Sequence, residues 1–190
     1  MRKWLLLCAA MAVLLAGWRP APREPEGMAL VRALGVDGAG PVALTAVCGG
    51  EDQKKPGRGR FAGADFDSAL EGLPWSGEGE GEELSLTSVS YIIVGRDVEL
   101  REVLLAVLRN EELGACATVW LAEDGAAALL AGCADPASGL DLLTRQGIEA
   151  PTAVEALARL ERGEPLSLPL LDGAGPALID WEEWRARDET

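Results

Sequence analysis

The sequence predicts an α/β fold with α+β character, in which a mixed β-sheet has a central βαβ unit, flanking helices and a hairpin at each end. Two apolar runs rich in β-branched residues, Ser88–Val94 and Cys116–Leu121, enclose a segment with helical periodicity. Strand, helix and strand in about 35 residues indicate a crossover with parallel strands and a right-handed connection. Turn sequences at Asp37–Pro41 and Asp172–Gly175 separate shorter apolar runs, which predicts the two hairpins.

The helix of the central unit has one apolar face, because its apolar side chains recur at spacings of three and four residues. That face consists of Leu100, Val103, Leu104, Val107 and Leu108. Asp97 is placed to cap the helix N-terminus, and Glu99, Glu102 and Arg109 complement the helix dipole. After the second strand of the unit, Ala126–Leu130 is predicted to form a short helix.

The elements before the central unit are shorter. Met28–Leu34 and Val42–Val47 are the strands of the first hairpin, and Asp65–Gly72 is a short helix. Gly49–Gly63 is polar and rich in glycine, and its four basic residues form either a local anion site or a solvated loop. We favour the loop, because almost no apolar residue frames these charges. Pro74–Glu83 is predicted to be an acidic connector, since its glutamates lack the spacing of a calcium loop.

Two helices are predicted after the central unit. Asp135–Pro136 interrupts the chain, and Gly139–Arg145 follows as a short helix. Thr152 and Glu155 form the sequence pattern of a capping box, which opens a helix that ends near Arg162.

The second hairpin closes the domain. Its strands are Leu166–Leu171 and Ala177–Trp181, and Pro169 predicts that the first of them is an edge strand. Residues 28–184 therefore form one domain, and residues 185–190 form a charged tail that is expected to fray.

The N-terminus has the layout of an export signal. Residues 1–17 start with basic side chains and continue with an apolar stretch of about 14 residues, which is short for a transmembrane helix. Leu14–Gly17 is similar to the start of a bacterial lipobox, but Trp18 stands where the lipid-bearing cysteine is expected. Residues 18–27 are a charged, proline-rich linker. The sequence predicts a signal peptide or signal anchor and a membrane-associated protein on the extracytoplasmic face.

Charge and composition exclude several classes of function. The chain has 17 basic and 31 acidic side chains, and the formal net charge of −14 argues against binding to nucleic acid, whose phosphates need lysine and arginine. The sequence contains no histidine. This excludes Ser-His-Asp and Cys-His catalysis in their usual forms, together with histidine-based metal sites.

No group of residues has the spacing of a catalytic, cofactor-binding or metal site. Gly57–Gly63 misses the spacing of dinucleotide-binding and phosphate-binding loops. Asp65 and Asp67 are expected at a solvated helix start, because alternate residues of a helix point apart. A glycosidase would need two carboxylates across a cleft, and the spacing selects no such pair. We therefore expect a protein that is not an enzyme and that uses no cofactor.

Three cysteines follow the signal segment: Cys48, Cys116 and Cys133. An odd number without a Cys-x-x-Cys pattern is atypical of a metal site. Cys116 and Cys133 lie on apolar elements and are expected to be buried, while export also allows one disulfide among the three. Trp120 is expected in the core, since it lies within an apolar strand.

The order of these segments resembles the N-terminal domain of the Ger(x)C family, the C subunit of bacterial spore germinant receptors. The similarity extends from about Leu14 to Leu171, and Thr87 and Ser88 stand where the family often has a histidine. The segments that carry it are Leu14–Gly17 with Trp18, Arg23 and Glu24, Met28–Asp37, Phe66–Leu70, Ile92–Gly95, Leu100–Leu113 and Thr118–Ala122.

This resemblance implies a non-enzymatic receptor subunit that acts in nutrient-triggered spore germination, beside integral-membrane subunits at the outer face of the spore inner membrane. An alternative hypothesis is an extracytoplasmic binding module for a small molecule or a peptide, unrelated to spores. That alternative predicts a concave site lined by aromatic side chains.

Overall fold

A computed structural model of the chain describes residues 28–38, 40–49, 58–72, 83–173 and 175–184. The predicted signal segment, the linker, most of the acidic connector and the charged tail lie outside these residues. The described residues form eight strands: β1 Met28–Asp37, β2 Val42–Cys48, β3 Arg58–Gly63, β4 Glu83–Ser85, β5 Tyr91–Gly95, β6 Thr118–Ala122, β7 Leu166–Leu171 and β8 Leu178–Trp184. They also form five helices: α1 Phe66–Glu71, α2 Leu100–Arg109, α3 Ala126–Gly132, α4 Pro136–Arg145 and α5 Ala153–Glu161.

The strands form one mixed sheet with the order β3-β2-β1-β5-β6-β7-β8, and β4 pairs with the start of β1. β1, β5, β6 and β7 are parallel to one another, whereas β2, β3 and β8 are joined antiparallel to their neighbours. The predicted fold class is confirmed, with the unit β5-α2-β6 at the centre and the hairpins β1-β2 and β7-β8 on its two sides.

Helices cover both faces of the sheet, because successive strand residues point to opposite sides. Ile92 of β5 packs with α1, α2 and α5, whereas the next residue, Ile93, packs with α3 and α4. The apolar face predicted for α2 is confirmed: four of its five residues are buried and Leu108 is partly buried. Both core layers are therefore built on the central parallel strands.

Two helix starts differ from the predictions. α2 begins at Leu100 with Glu99 at the N-cap position, so the prediction that Asp97 caps it is wrong. The reason is a tight turn after β5, in which the N–H of buried Val98 donates to the Gly95 carbonyl. α4 begins at Pro136 rather than Gly139, because the Asp135 carboxylate accepts a hydrogen bond from the Ser138 N–H at 3.1 Å.

Part of the loop predicted at Gly49–Gly63 is instead the strand β3. Its residues pair with β2, so that Phe61 lies opposite Leu44 and Arg60 lies opposite Thr45. The ladder of backbone hydrogen bonds to β2 thus outweighs the strand-breaking tendency of the glycines. The capping box at Thr152 is confirmed and opens α5.

Pro169 lies within β7, which pairs on both sides and is not an edge strand as predicted. Within β7, only Leu170 and Leu171 pair with β6, and Pro169 lies opposite Trp181 of β8 on the other side. The missing N–H of the proline is tolerated because β6 does not reach this level of β7.

The cysteine predictions are partly wrong. Cys116 is exposed and Cys133 is half-buried, whereas Cys48 is buried. Cys116 lies before the first residue of β6 and therefore outside the buried strand. Trp120 is fully buried, as predicted.

Candidate functional site

The sheet forms a crevice at the carboxyl ends of β5 and β6. The chain leaves β5 toward α2 on one face and leaves β6 toward α3 on the other face. Such a reversal opens a crevice where ligands commonly bind in open α/β sheets. This groove has a volume of ≈ 720 Å³. Its polar lining comprises Asp37, Arg60, Arg96, Asp97, Glu123 and Asp124.

Asp37 links the end of β1 to the start of α3. Its two carboxylate oxygens accept hydrogen bonds from the N–H groups of Ala126 at 2.7 Å and Ala127 at 2.8 Å. The residue that precedes α3 is Gly125, which has no side chain to cap the helix. A carboxylate from another strand therefore satisfies the first N–H groups of α3 and complements its positive end.

Two glycines leave room for this carboxylate. A Cβ on Gly95 would lie 2.6 Å from Oδ1 of Asp37, and one on Gly125 would lie 3.0 Å from the same atom. Gly125 also has φ 93° and ψ 150°, a backbone conformation that is almost restricted to glycine. The ends of β1 and β5 and the start of α3 thus fit together around one side chain.

Replacement of Gly125 by alanine is expected to lower the free energy of unfolding by about 1–3 kcal/mol, because a Cβ is strained at this positive φ. Gly163 is the comparison, since its φ of 65° is near the left-handed helical value that other residues can adopt and nothing lies within 4 Å of its Cβ position. Urea denaturation of both variants measures the difference. A loss at Gly125 no larger than the loss at Gly163 would contradict the expected cost of a Cβ at Gly125.

Arg58 holds the opposite end of α3. Its guanidinium donates to the carbonyl oxygens of Ala131, at 3.4 Å, and Cys133. A cation at the carboxyl end of a helix complements the helix dipole. α3 is therefore fixed at its start by β1 and at its end by β3. The sequence analysis missed both roles, because Asp37 looked like a turn residue and Arg58 looked like part of a solvated loop.

The remaining charged groups give the crevice a mixed but mainly acidic character. Asp97, Glu123 and Asp124 are exposed carboxylates, and Arg60 is exposed beside them. Arg96 is drawn toward the far end of the sheet by an ion pair with Glu182 at 2.6 Å. Together with Asp37 at the helix N-terminus, these carboxylates repel a phosphate from the place where this fold type often binds one.

A second groove of ≈ 400 Å³ lies between α1 and α2. Asp65 and Asp67 line it and, as predicted, belong to a helix start, since Asp65 caps α1 through the Ser68 N–H at 2.8 Å. These hydrogen bonds from Ser68 lower the pKa of Asp65. Among the described residues that line the two grooves, Phe66 is the one aromatic side chain, so neither groove has the aromatic lining of the small-molecule hypothesis.

A polar cluster with one buried member, Tyr91, and two half-buried members, Arg32 and Asp141, lies beside α4. The Tyr91 hydroxyl donates to Asp141, which also accepts a hydrogen bond from Arg32 at 3.4 Å, and the Tyr91 ring meets Trp120 edge to face. Burial and the Asp141 carboxylate raise the pKa of Tyr91 to about 12. Tyr91 belongs to the core layer on the α3–α4 side of the sheet, whereas Arg32 and Asp141 reach the surface there.

Ionisation of Tyr91 is expected to destabilise the folded chain at high pH. Between its unfolded value near 10 and about 12, the unfolded state loses this proton first, so the free energy of unfolding falls as pH rises. Tyr91 is the single tyrosine of the chain, and its absorbance near 295 nm therefore reports this ionisation alone. A Tyr91→Phe variant should lack the corresponding part of the pH dependence. An unshifted titration near pH 10 would contradict the burial of this hydroxyl.

Metal ligands, membrane spans and similarity to known proteins complete the description of the site. The described residues contain no group of three or more Cys, Asp or Glu side chains placed to hold a metal ion. None of the described helices is by itself long and apolar enough to cross a membrane. Taken together, α3 and α4 have the length and composition of a membrane span, but the two helices meet at an angle of 98°. No protein-family model, curated protein or solved structure matches the chain.

Proposed function

We propose that the chain is a non-enzymatic subunit of a spore germinant receptor, as its resemblance to the Ger(x)C family implies. It would act at the extracytoplasmic face of the membrane, held there through its N-terminal segment and in contact with integral-membrane subunits. The observation that carries this proposal is the meeting of two resembling segments around Asp37. The end of β1 carries Asp37, and the end of the neighbouring strand β5 carries Gly95.

Two of the segments that carry the resemblance pack against each other in the fold. Leu34–Asp37 and Ile92–Gly95 lie on adjacent parallel strands, in register over residues 34–36 and 92–94. A sequence pattern that ends one strand in aspartate and the next in glycine therefore describes one packing unit.

The chemistry of the crevice supports a binding role in preference to catalysis. Both oxygens of Asp37 are used to hold α3, and Arg96 is engaged by Glu182. The exposed carboxylates that remain, Asp97, Glu123 and Asp124, lie at the surface, where water screens them. A rigid α/β domain with an acidic surface is suited to bind a neighbouring subunit that presents basic groups.

The proposal is tested in spores of the native host. Deletion of the gene is expected to slow germination in response to some nutrients, measured as loss of refractility and release of core solutes. The intact gene should restore the response, and the full-length protein should co-purify with integral-membrane receptor subunits from spore membranes. Unchanged germination together with no co-purification would overturn the proposal, as would a host that forms no endospores.

A second candidate function rests on the volume of the crevice. A groove of ≈ 720 Å³ lies within the size range of small-molecule sites, and its carboxylates with Arg60 at the rim suit a small polar ligand with a cationic group. This would be an extracytoplasmic binding module unrelated to spores. A thermal-shift screen of the full chain against small amines and zwitterions tests it, with Asp97→Asn as the variant that should weaken a genuine response.

A further inference from the structure

The two end strands of the described sheet carry opposite charges. β3 lies at one end of the strand order and β8 at the other. β3 contains two arginines and no acidic residue, whereas β8 contains Asp180, Glu182 and Glu183 and no basic residue. An end strand presents backbone N–H and C=O groups on its outer side to any further strand. Arg58 is held at the end of α3, and Glu182 is held by Arg96. The complementary charges left at the two edges are therefore those of the exposed Arg60 and Asp180.

Each edge also exposes a large aromatic side chain. Trp181 of β8 is 43% exposed and Phe61 of β3 is 37% exposed. Most tryptophan surface is buried in folded proteins, and exposed aromatic side chains are enriched where proteins meet. Both edges thus combine charge with an apolar contact.

The sheet faces of the two strands match. Trp181 of β8 lies opposite Pro169 of β7. Pro169 is two residues before Leu171 on the same strand and so shares its face, which packs on the side of α3 and α4. Arg60 of β3 lies opposite Thr45 of β2. Thr45 is two residues before Val47 on the same strand and so shares its face, which also packs on the side of α3 and α4. Trp181 and Arg60 consequently point to the same face of the sheet.

We infer that the chain associates head to tail, with β8 of one copy pairing antiparallel with β3 of the next copy so that the sheet continues across the junction. The strand directions allow this, because β3 runs parallel to β7 and β8 runs antiparallel to β7. In the register that sets Trp181 of one copy opposite Arg60 of the next, the Arg60 guanidinium turns from the crevice onto the indole ring and makes a cation–π contact. Phe61, which lies opposite Leu44, points to the other face of the sheet and takes no part in this contact.

Pairing of like edges is disfavoured by charge. Two β8 edges would bring the Asp180 carboxylates together, and two β3 edges would bring the Arg60 guanidinium groups together. Like charges directly opposite each other destabilise a strand pair. A junction between unlike edges leaves one free edge at each end of the assembly, so association proceeds beyond the dimer unless a ring closes.

The experiment compares the full chain with edge variants in one detergent by analytical ultracentrifugation. The mass of the wild-type chain is expected to rise with concentration beyond the dimer. Arg60→Glu should block the β3 edge and Trp181→Arg should block the β8 edge, because each substitution removes one partner of the cation–π contact. Trp181→Arg also places two cations opposite each other. Both substitutions should weaken association by about tenfold or more. Leu142→Arg on α4, 55% exposed and outside both edge strands, is the control.

A mixture separates this arrangement from a symmetric dimer. Arg60→Glu retains an intact β8 edge and Trp181→Arg retains an intact β3 edge, so mixing the two variants should restore association, which neither variant shows alone. Because the carboxylate introduced on the β3 edge of one variant also attracts the guanidinium introduced on the β8 edge of the other, the mixed assembly should grow beyond the dimer with the two variants in alternation. The double variant should associate again, because the carboxylate introduced on β3 then meets the guanidinium introduced on β8. A wild-type chain that stays monomeric at about 1 mM, or a homodimer that neither single variant weakens, would overturn the inference.

Discussion

Replacement of Trp120 by alanine is expected to lower the free energy of unfolding by about 3–5 kcal/mol, the largest effect of any single substitution considered for this chain. The side chain is fully buried between β5, β6 and the helices α3 and α4. Its indole N–H donates to the Thr118 hydroxyl at 2.9 Å, and its ring meets Tyr91 at a centroid distance of 6.5 Å. Truncation leaves a large cavity and removes both contacts.

Urea denaturation followed by circular dichroism measures this loss. Trp120→Phe should lose less, because it retains most of the apolar volume, and it keeps the measurement possible if the alanine variant does not fold. Trp181→Ala is the matched control: the same deletion on a strand edge should cost about 1 kcal/mol or less at concentrations where the chain is monomeric. A similar loss at the two tryptophans would contradict the described packing of Trp120.

Replacement of Asp37 by alanine is expected to cost about 2–3 kcal/mol. The substitution removes both acceptors of the Ala126 and Ala127 N–H groups and leaves the first turn of α3 without a cap. Because α3 covers part of the core around Leu129 and Leu130, loosening its start also exposes apolar surface. Asp37→Asn should lose less, since its amide oxygen still accepts one hydrogen bond.

Asp97 is the matched control for Asp37. It is an exposed aspartate in the same crevice, and its replacement by alanine should change the free energy of unfolding by about 0.5 kcal/mol or less. Hydrogen exchange at Ala126 and Ala127 gives a local measurement, because their protection should fall in Asp37→Ala and persist in Asp97→Ala. Unchanged protection in both variants would contradict the cap across the sheet.

Local patterns in the sequence predicted most of the fold. The apolar face of α2, the capping box of α5 and the turn between β1 and β2 depend on residues within a few positions of one another. Their period and their turn residues therefore specify helix or strand before any long-range contact forms. The parallel pairing of β5 with β6 followed from the same information, since a helix between two strands returns the chain in the same direction.

The errors share a different cause. The start of α2 depends on the burial of Val98, the strand β3 depends on its partner β2, and the position of β7 depends on how far β6 extends. In each case a contact made by another part of the chain overrides the local preference. The exposure of Cys116 follows likewise from where β6 begins.

The sequence by itself determined an acidic, histidine-free α/β chain with a βαβ centre and two hairpins, because charge, composition and periodicity are local properties. Only the tertiary structure placed Asp37 and Arg58 at the two ends of α3, across 89 and 73 residues of chain. Such pairs leave no periodic signal, since their spacing depends on how the intervening elements fold. The candidate crevice and the two charged sheet edges arise in the same way, from strand order that the sequence pattern does not contain.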